Sequence, residues 1–497
     1  MADQPIAVID IGSNSGRMIV VRSATGHSVE TLAEARAPLR LASDIAASGT
    51  LTAAATERTL EALEDFLAQA RGCGASRVLA VATAAVRDAT NGEPFIDRLR
   101  NHAGVDIEII DGAREAALSF LGAVHSLPVE KGTLLDVGGG SVELTRFRDR
   151  KLSKSWTLPL GALLLADRFF NEDPPSRGER RRLVDHVTSA IENAIPALKT
   201  TDWLVGTGGT IRNLAKMDRR ERSYPVPRLH GYVLSLARVD TIVGLVEARP
   251  LKKRETLAGL NPDRADSIVA GALIVRTLME ALGANEITVS GKGLREGLAM
   301  EALSDEMPSV EDVRASSLVA LAARFATDAT RAERRADLAT LLLKETTPSA
   351  QPEMLEMLRH AATILDAGMA IDAYNRHDHA ASAVLSGDLS GFSHPQLALV
   401  AAILRRADKH GAGLKPFRSL LGDYELSMIA RAAICLAVAD AIELRLPAGM
   451  KVAIRTTKST ISVIGPMRSG RWSELLNGRT RMVLGRSLAI KSREDET

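Results

Sequence analysis

Residues 134–144 read Leu-Leu-Asp-Val-Gly-Gly-Gly-Ser-Val-Glu-Leu, and they are the most informative stretch of this 497-residue chain. Two apolar residues lead into Asp136, a glycine-rich turn follows, and Glu143 comes shortly after the turn. The pattern predicts a buried strand that breaks into a turn made of Gly138, Gly139, Gly140 and Ser141. Glycines lack the Cβ atoms that would keep an oxyanion away from backbone N–H groups. Because carboxylates flank the turn on both sides, we expect a phosphate site with a divalent cation beside it.

A similar strand and glycine turn occurs at three other places in the chain. These are residues 6–15, which contain Asp10-Ile-Gly-Ser-Asn-Ser, and residues 202–210 and 286–297. Ligands collect at the carboxyl ends of strands in α/β sheets, so such turns bring their N–H groups to one edge of each sheet. The chain is therefore predicted to form two α/β lobes, residues 1–125 and 126–305, that face each other across a cleft.

The remainder of the chain has a different pattern of apolar residues. Residues 306–446 carry helical periodicity almost throughout, which predicts an all-α domain. Residues 447–497 predict a small α/β domain, with a pair of strands, a short helix at about 472–477 and a further strand at 481–484.

Composition excludes several classes of protein. A formal net charge of +2, with only nine Phe, three Trp and four Tyr, does not indicate a nucleic-acid-binding protein. No run of 18 apolar residues occurs, so no membrane span is expected. The two cysteines, Cys73 and Cys435, lie far apart, and the first residues do not resemble a leader peptide. We therefore expect a cytoplasmic protein.

Taken in order, these motifs resemble the acetate kinase/sugar kinase/Hsp70/actin (ASKHA) superfamily. The closer resemblance is to the exopolyphosphatase and guanosine pentaphosphate phosphohydrolase (Ppx/GppA) family. The matching pieces, which cover the first 300 residues or so, are Asp10–Ser15, Ala82–Arg87, Glu108–Ala116, Asp136–Leu144 and Gly291–Gly297. The resemblance implies two actin-like (ribonuclease H-like) lobes, an all-α HD-like domain and a small C-terminal domain.

Glu115 is the candidate catalytic residue. It follows Asp111-Gly112 near the start of a predicted helix and falls on the glutamate of the family pattern Gly-x-x-Glu-Ala. The resemblance implies a general base that orients or deprotonates the attacking water, which phosphoanhydride hydrolysis requires. The alternative is an acid in the first helical turn that only stabilises the helix dipole.

Two further acids are candidate metal ligands. In the resembling enzymes the acids that match Asp136 and Glu143 hold or position Mg²⁺, and Asp10 is a weaker third candidate. Mg²⁺ suits such a site because it binds one or two carboxylates together with phosphate oxygens and water. Mn²⁺ would be a substitute, and a contribution from K⁺ is left open. The structural alternative is that these acids cap the turns.

Phosphate contacts are predicted for the turns and for one arginine. Ser13, Asn14 and Ser15 would present N–H and hydroxyl donors together with residues 138–141. Gly208 and Gly209 would offer similar donors deeper in the cleft. Arg87 lies where the family places a phosphate-binding arginine, whose planar fork suits such a contact. Its alternative role is to cap backbone carbonyls.

Clusters of basic residues predict a polyanionic substrate. Four arginines lie within residues 177–182, four lie within residues 219–228, and seven Arg or Lys lie within residues 468–493. Such runs are usually solvated surfaces. In a near-neutral chain, three of them indicate a path that attracts a chain of phosphates.

The helical domain lacks part of the HD metal motif. The resemblance predicts a His-Asp or His-Glu dyad at 365–366, where this chain has Leu365-Asp366, and residues 406–408 also depart from the pattern. Histidines 360, 377, 379, 394 and 410 occur in the same region. We interpret the domain as a relic that binds substrate or dimerises, and long relatives imply a homodimer.

Taken together, the sequence predicts an exopolyphosphatase that hydrolyses the terminal phosphate of inorganic polyphosphate. A guanosine pentaphosphate (pppGpp) phosphohydrolase is the nearest alternative, since it would use the same set of residues, and (p)ppGpp is therefore a possible ligand. An ATP-dependent kinase of the same superfamily and a non-catalytic polyphosphate- or alarmone-binding regulator are more distant alternatives.

Overall fold

The computed structural model describes residues 4–24, 26–195, 202–304, 306–408, 413–447 and 449–491, without the side chains of residues 46 and 47. The chain forms two compact units. The first contains residues 1–224 and 228–316, and the second contains residues 225–227 and 317–497. Among the described residues, no helix is both long enough and apolar enough to cross a bilayer.

The first lobe is a five-stranded sheet flanked by helices. Its elements are β1 (Ile6–Ile11), β2 (Ser15–Ser23), β3 (Val29–Pro38), α1 (Leu41–Ser48), α2 (Ala53–Gly72), β4 (Arg77–Ala82), α3 (Ala84–Asp88), α4 (Gly92–Ala103), β5 (Ile107–Ile109) and α5 (Gly112–His125). The strand order is β3-β2-β1-β4-β5. Strands β1 to β3 form an antiparallel meander, and β4 and β5 extend the sheet in parallel with β1.

The second lobe repeats this arrangement with one additional strand. Its elements are β6 (Gly132–Val137), β7 (Val142–Arg148), β8 (Lys151–Leu158), α6 (Ala162–Phe169), α7 (Arg177–Ala194), β9 (Trp203–Thr207), α8 (Gly208–Glu221), β10 (Tyr232–Ser235), α9 (Leu236–Glu247), α10 (Leu251–Arg254), a 3₁₀ helix (Pro262–Arg264), α11 (Ile268–Leu282) and β11 (Glu286–Val289). The last helix, α12 (Leu294–Leu303), packs on the first sheet, where Leu298 and Ala299 join the core around Val8, whereas Phe120 and Val124 of α5 join the core of the second sheet. The strand order of the second sheet is β10-β11-β9-β6-β7-β8. Both sheets thus share a meander followed by parallel strands, which is the predicted actin-like α/β fold.

Helices α5 and α12 pack in direct backbone contact. A Cβ at Gly297 would overlap the carbonyl oxygen of Leu118, and one at Gly122 would overlap that of Gly293. Only glycine permits such an approach, because any other side chain would force the two helices apart. This contact holds α5, the helix that carries Glu115, in a defined position.

The helical region and the small C-terminal sheet follow α12. Their elements are α13 (Val310–Arg324), α14 (Ala329–Thr346), α15 (Pro352–Ile364), a 3₁₀ helix (Leu365–Ala370), α16 (Arg376–Ser386), α17 (His394–Ala407), a 3₁₀ helix (Lys415–Phe417), α18 (Asp423–Glu443), β12 (Ala453–Thr456), β13 (Thr460–Ile464), α19 (Arg471–Leu484) and β14 (Ser487–Lys491). The sheet order is β12-β13-β14, with β13 and β14 parallel.

The strand predicted at 481–484 is wrong, since these residues are the last turn of α19. Leu476 and Thr480 are buried at a spacing of four residues, which keeps the segment helical. Gly485 then ends the helix in the left-handed conformation, with φ of 69°. The apolar pair at 483–484 therefore belongs to a helix and does not indicate a strand. Strand β14 begins three residues later.

A buried ion-pair network surrounds Asp366 of the predicted HD-like motif. Arg335 has no solvent exposure, and its Nη1 lies 2.9 Å from Asp366 Oδ2 and 3.1 Å from Asp440 Oδ1. Arg376 pairs with the same two carboxylates. These guanidinium groups supply the positive charge that the two buried acids require. His410 lies outside the described residues.

Candidate active site

One cavity of about 120 Å³ lies between the two lobes of the first unit. It is lined by nearly all of the residues that the sequence predicted for the site, namely Ser13, Asn14, Ser15, Glu115, Asp136, Gly138, Gly139, Gly140, Ser141, Gly208 and Gly209. Arg87 and Glu143 are not among the lining residues. Turns far apart in sequence thus converge on one small space.

The glycines of this site allow backbone to approach backbone and carboxylate. Gly208 has φ of 89°, and a Cβ there would lie 2.5 Å from Asp136 Oδ1 and 2.6 Å from the Val137 carbonyl oxygen. Gly208 is also the first residue of α8, whose leading N–H groups have no partner within the helix. A helix N-terminus that opens into a cavity attracts anions.

The acids form a crowded and largely buried group. Asp136 and Glu143 are register partners on β6 and β7, and Ser119 Oγ donates a hydrogen bond to Asp136 Oδ2 at 2.8 Å. Burial raises the pKa of both acids, and the pKa of Glu143 is raised further by Glu115 and Asp136. Burial also raises the pKa of Asp10 to about 6.

Two oxygens of this group have no hydrogen bond to any residue that the structure describes. Asp10 Oδ1 and Glu143 Oε1 are buried and have no hydrogen-bond partner among the described residues. Buried polar atoms are seldom left unpaired in native structures. Oxygen donors with mutually repelling charges suit a small, hard divalent cation, which would neutralise them. Among the described residues, however, no three His, Cys, Asp or Glu side chains are already arranged as a metal site.

Glu115 lies in the first turn of α5. The N-cap residue Asp111 accepts a hydrogen bond from the Arg114 N–H at 2.7 Å, which fixes the start of the helix. Burial raises the pKa of Glu115 to about 7, against the opposing effect of Arg87. A carboxyl group with this pKa can accept a proton from water near neutral pH.

Four arginines that sequence reasoning did not select also line the cavity. They are Arg17, Arg212, Arg264 and Arg295. Burial, together with neighbouring arginines, lowers the pKa of Arg17 to about 9 and that of Arg264 to about 10. Cations held so close together, away from water, favour an anionic ligand in addition to the acids that line the cavity. An oxyanion of high charge, such as a phosphate, fits this environment.

A sequence signal exists for three of the four. Arg17, Arg212 and Arg295 each follow a glycine turn within a few residues, so they emerge at the same sheet edges. Arg264 has no such signal, because it belongs to the 3₁₀ helix and reaches the site through the fold. Its guanidinium occupies the space where a Cβ of Gly209 would lie.

The basic clusters singled out in the sequence lie elsewhere. Their described members line neither this cavity nor the adjoining chamber of about 340 Å³. Arg180 pairs with Glu247, and Arg181 pairs with Asp185, as expected for a helix surface. Residues 492 and 493 of the last cluster lie outside the described part of the chain.

Known proteins share this fold and these motifs. Residues 19–306 match the Ppx/GppA phosphatase family, and residues 313–453 match domain III of Ppx/GppA phosphatases. Exopolyphosphatase 1 of Mycobacterium tuberculosis is 30% identical over 318 residues, which are 63% of this chain and 92% of that relative. Guanosine-5'-triphosphate,3'-diphosphate pyrophosphatase of Photobacterium profundum is 28% identical over 411 residues, 80% of each chain.

A solved structure agrees with these matches. The crystal structure of an exopolyphosphatase from Cytophaga hutchinsonii has a TM-score of 0.57 and 29% identity. The similarity covers 60% of this chain and 98% of that chain. The fold and the cavity, with its acids, arginines and glycine turns, define a phosphoanhydride hydrolase. The chain belongs to the Ppx/GppA phosphatase family.

Proposed function

We propose that this enzyme is an exopolyphosphatase, which removes the terminal phosphoryl group of inorganic polyphosphate and releases orthophosphate. The observation that carries the proposal is the chamber of about 340 Å³ that adjoins the cavity lined by the glycine turns. The two spaces share Arg17, Arg212, Arg264 and Arg295. A substrate that extends from one space into the other thus remains in contact with cations.

The lining of the chamber favours phosphate over a nucleoside. Arg36 and Lys216 add to the four shared arginines, against two acids, Glu34 and Glu296. Among the described residues that line it, none is aromatic. Protein sites that bind nucleobases commonly stack them on aromatic side chains. A chamber of cations without such a platform suits a repeating anion.

Arg36 retains unused donors in this chamber. Its Nη1 pairs with Asp263 Oδ2 at 3.0 Å, while Nε and Nη2 are buried without a hydrogen-bond partner among the described residues. Burial and the nearby arginines Arg212 and Arg17 lower the pKa of Lys216. Both groups would be stabilised by phosphates beyond the one that is cleaved.

In the proposed reaction, Glu115 accepts a proton from water as the water attacks the terminal phosphorus. The loose transition state spreads charge over the equatorial oxygens. The arginines and the N–H groups of the glycine turns and of α8 would stabilise that charge, since they are held in place before the reaction begins. The shortened chain leaves with the bridging oxygen.

A divalent cation fits the acids of this site. We propose that Asp136 and Glu143 hold Mg²⁺, with Asp10 as a further oxygen donor, because one buried oxygen each of Asp10 and Glu143 has no hydrogen-bond partner within the described part of the chain. Mn²⁺ accepts the same kind of donors. When bound, the cation neutralises charge on the phosphate oxygens.

The proposal is tested by steady-state phosphate release from long-chain polyphosphate and from guanosine pentaphosphate, with one enzyme preparation. We expect a higher kcat/KM per molecule of polyphosphate. The Glu115→Gln protein, purified in parallel, sets an upper limit on the contaminating phosphatase activity. A higher kcat/KM for the nucleotide would overturn the proposal in favour of a guanosine pentaphosphate phosphohydrolase.

The rate is also expected to depend on pH through Glu115. Because burial raises the pKa of this acid to about 7, it is protonated and unable to act as a base at lower pH. We expect kcat/KM, which reports the free enzyme, to fall about tenfold for each unit of pH well below 7 and to level off above it. Initial rates of phosphate release between pH 5 and 9 measure this decrease. A rate that stays constant down to pH 5 would contradict the assignment of the base.

A further inference from the structure

Arg87 contacts Glu115 rather than the phosphate cavity. Its Nη1 donates to Glu115 Oε2 at 3.1 Å and to the Ile110 carbonyl oxygen at 3.0 Å. Arg87 does not line the cavity, whereas Thr83, one turn earlier in the chain, does. Arg87 thus contacts Glu115, which lines the cavity, without lining the cavity itself.

The surrounding backbone holds Arg87 at this point. Arg87 belongs to the short helix α3, and its N–H donates to the Thr83 carbonyl oxygen at 3.1 Å. A Cβ at Gly92 would overlap the Val86 carbonyl oxygen, so the chain after α3 packs tightly against it. A swing of the arginine into the cavity would require both of its Nη1 hydrogen bonds to break.

We propose that Arg87 is a positioning residue for Glu115 and not a ligand of the substrate phosphate. One nitrogen links the end of the strand that precedes α5 to the carboxylate in the first turn of α5. This link sets the side-chain rotamer of Glu115 relative to the helix N-terminus. The inference rests on the proposed role of Glu115 as the base.

Other groups already provide cations for phosphate. Arg17, Arg212, Arg264 and Arg295 line the cavity, and none of the ion pairs among the described residues occupies Arg17, Arg212 or Arg264. Arg87, in contrast, is engaged with an acid. Its contacts with Glu115 and with the Ile110 carbonyl oxygen both use Nη1, so the binding of polyphosphate decides whether the remaining donors of Arg87 also hold phosphate.

The test is a double-mutant cycle of Arg87→Met and Glu115→Gln. In the wild-type background, Arg87→Met is expected to lower kcat by about 10²-fold, because small misplacements of a reacting group have effects of this size. The KM for polyphosphate should stay within about twofold. In the Glu115→Gln background, Arg87→Met should have no further effect on the residual kcat, since residues that act as a unit are not additive.

Direct binding separates the two roles. Equilibrium binding of long-chain polyphosphate to Glu115→Gln and to the double variant should give the same Kd. A Kd raised tenfold or more by Arg87→Met would overturn the inference and make Arg87 a phosphate ligand. Arg87→Lys keeps the charge in a different shape, and partial recovery of kcat with unchanged KM is expected. If Arg87→Met unfolds at a lower temperature than the wild-type enzyme, Arg87→Lys replaces it in every measurement.

Failure of the inference is distinct from failure of the proposed function. If Glu115→Gln retains the wild-type kcat, the base has been assigned wrongly, and the inference that rests on it is overturned as well. If Glu115→Gln loses turnover but Arg87→Met lowers kcat equally in both backgrounds, Glu115 remains the base and Arg87 acts independently of it.

Discussion

Replacing Glu115 with Gln is expected to lower kcat for phosphate release by about 10²–10⁴-fold, the range that general-base catalysis usually contributes. Glutamine retains the shape of the side chain and can accept a hydrogen bond from Arg87, but it cannot accept a proton from water. The donors that hold the phosphates are unchanged by the substitution. The Kd for polyphosphate should therefore stay within about twofold, which equilibrium binding measures.

Glu108→Gln is the matched control for this variant. Glu108 is an exposed acid on β5, close in sequence to Glu115, and it does not line the cavity. Its kcat and KM should equal those of the wild-type enzyme. A Glu115→Gln protein with more than a tenth of the wild-type kcat would show that another group activates the water.

The second large effect is expected from Arg17→Met and Arg264→Met. A hydrogen bond to a charged group is worth about 1.5–3 kcal/mol, so each substitution should lower kcat/KM by about 10–150-fold. Most of the loss should be an increase in KM, because both side chains also line the chamber proposed for the uncleaved phosphates. Initial rates over a range of polyphosphate concentrations measure it.

The same substitutions are not expected to destabilise the fold. Burial and repulsion between neighbouring arginines lower the pKa of both Arg17 and Arg264, so the charged forms are disfavoured in the free enzyme. Removing one of them relieves that repulsion, and the midpoint of thermal unfolding should stay equal or rise. Such opposition between stability and activity is typical of functional sites.

Arg177→Met is the control for the loss of one positive charge. Arg177 is exposed at the start of α7 and lines neither space. Its kcat/KM should change by less than twofold. An equal loss in Arg177→Met and Arg17→Met would mean that overall charge, rather than the cavity, attracts the substrate.

The glycine turns were predictable from sequence because each needs only local chemistry. An apolar strand followed by glycines places N–H groups at a sheet edge, and residues 138–141 and Gly208 are found where that argument puts them. The strand pair that sets Asp136 opposite Glu143 follows from the same stretch. Two actin-like lobes then follow from the repeat of the pattern.

The cations that line the chamber were not predictable in the same way. Arg36, Lys216 and Arg264 reach the chamber only because β3, α8 and the 3₁₀ helix meet there. Runs of arginine were the visible signal, and their described members line neither the cavity nor the chamber. A high density of charged residues along a sequence more often indicates a solvent-exposed surface than a set of side chains that meet at one site.

Arg87 shows what a motif leaves open. Its position after a strand indicates an arginine near the site, but the motif does not say which partner its guanidinium contacts. The structure places it against Glu115 and the Ile110 carbonyl oxygen. The choice between a phosphate ligand and a positioning residue therefore depends on tertiary structure.

The most direct test of the account follows polyphosphate of one defined length and guanosine pentaphosphate in the same tube, at equal concentrations of molecules. Chain lengths and nucleotides are sized over time while orthophosphate is measured. The account predicts that each orthophosphate released matches the loss of one phosphate from a polyphosphate end, while most of the nucleotide remains intact. Consumption of the nucleotide first, with the polyphosphate unchanged in length, would contradict it.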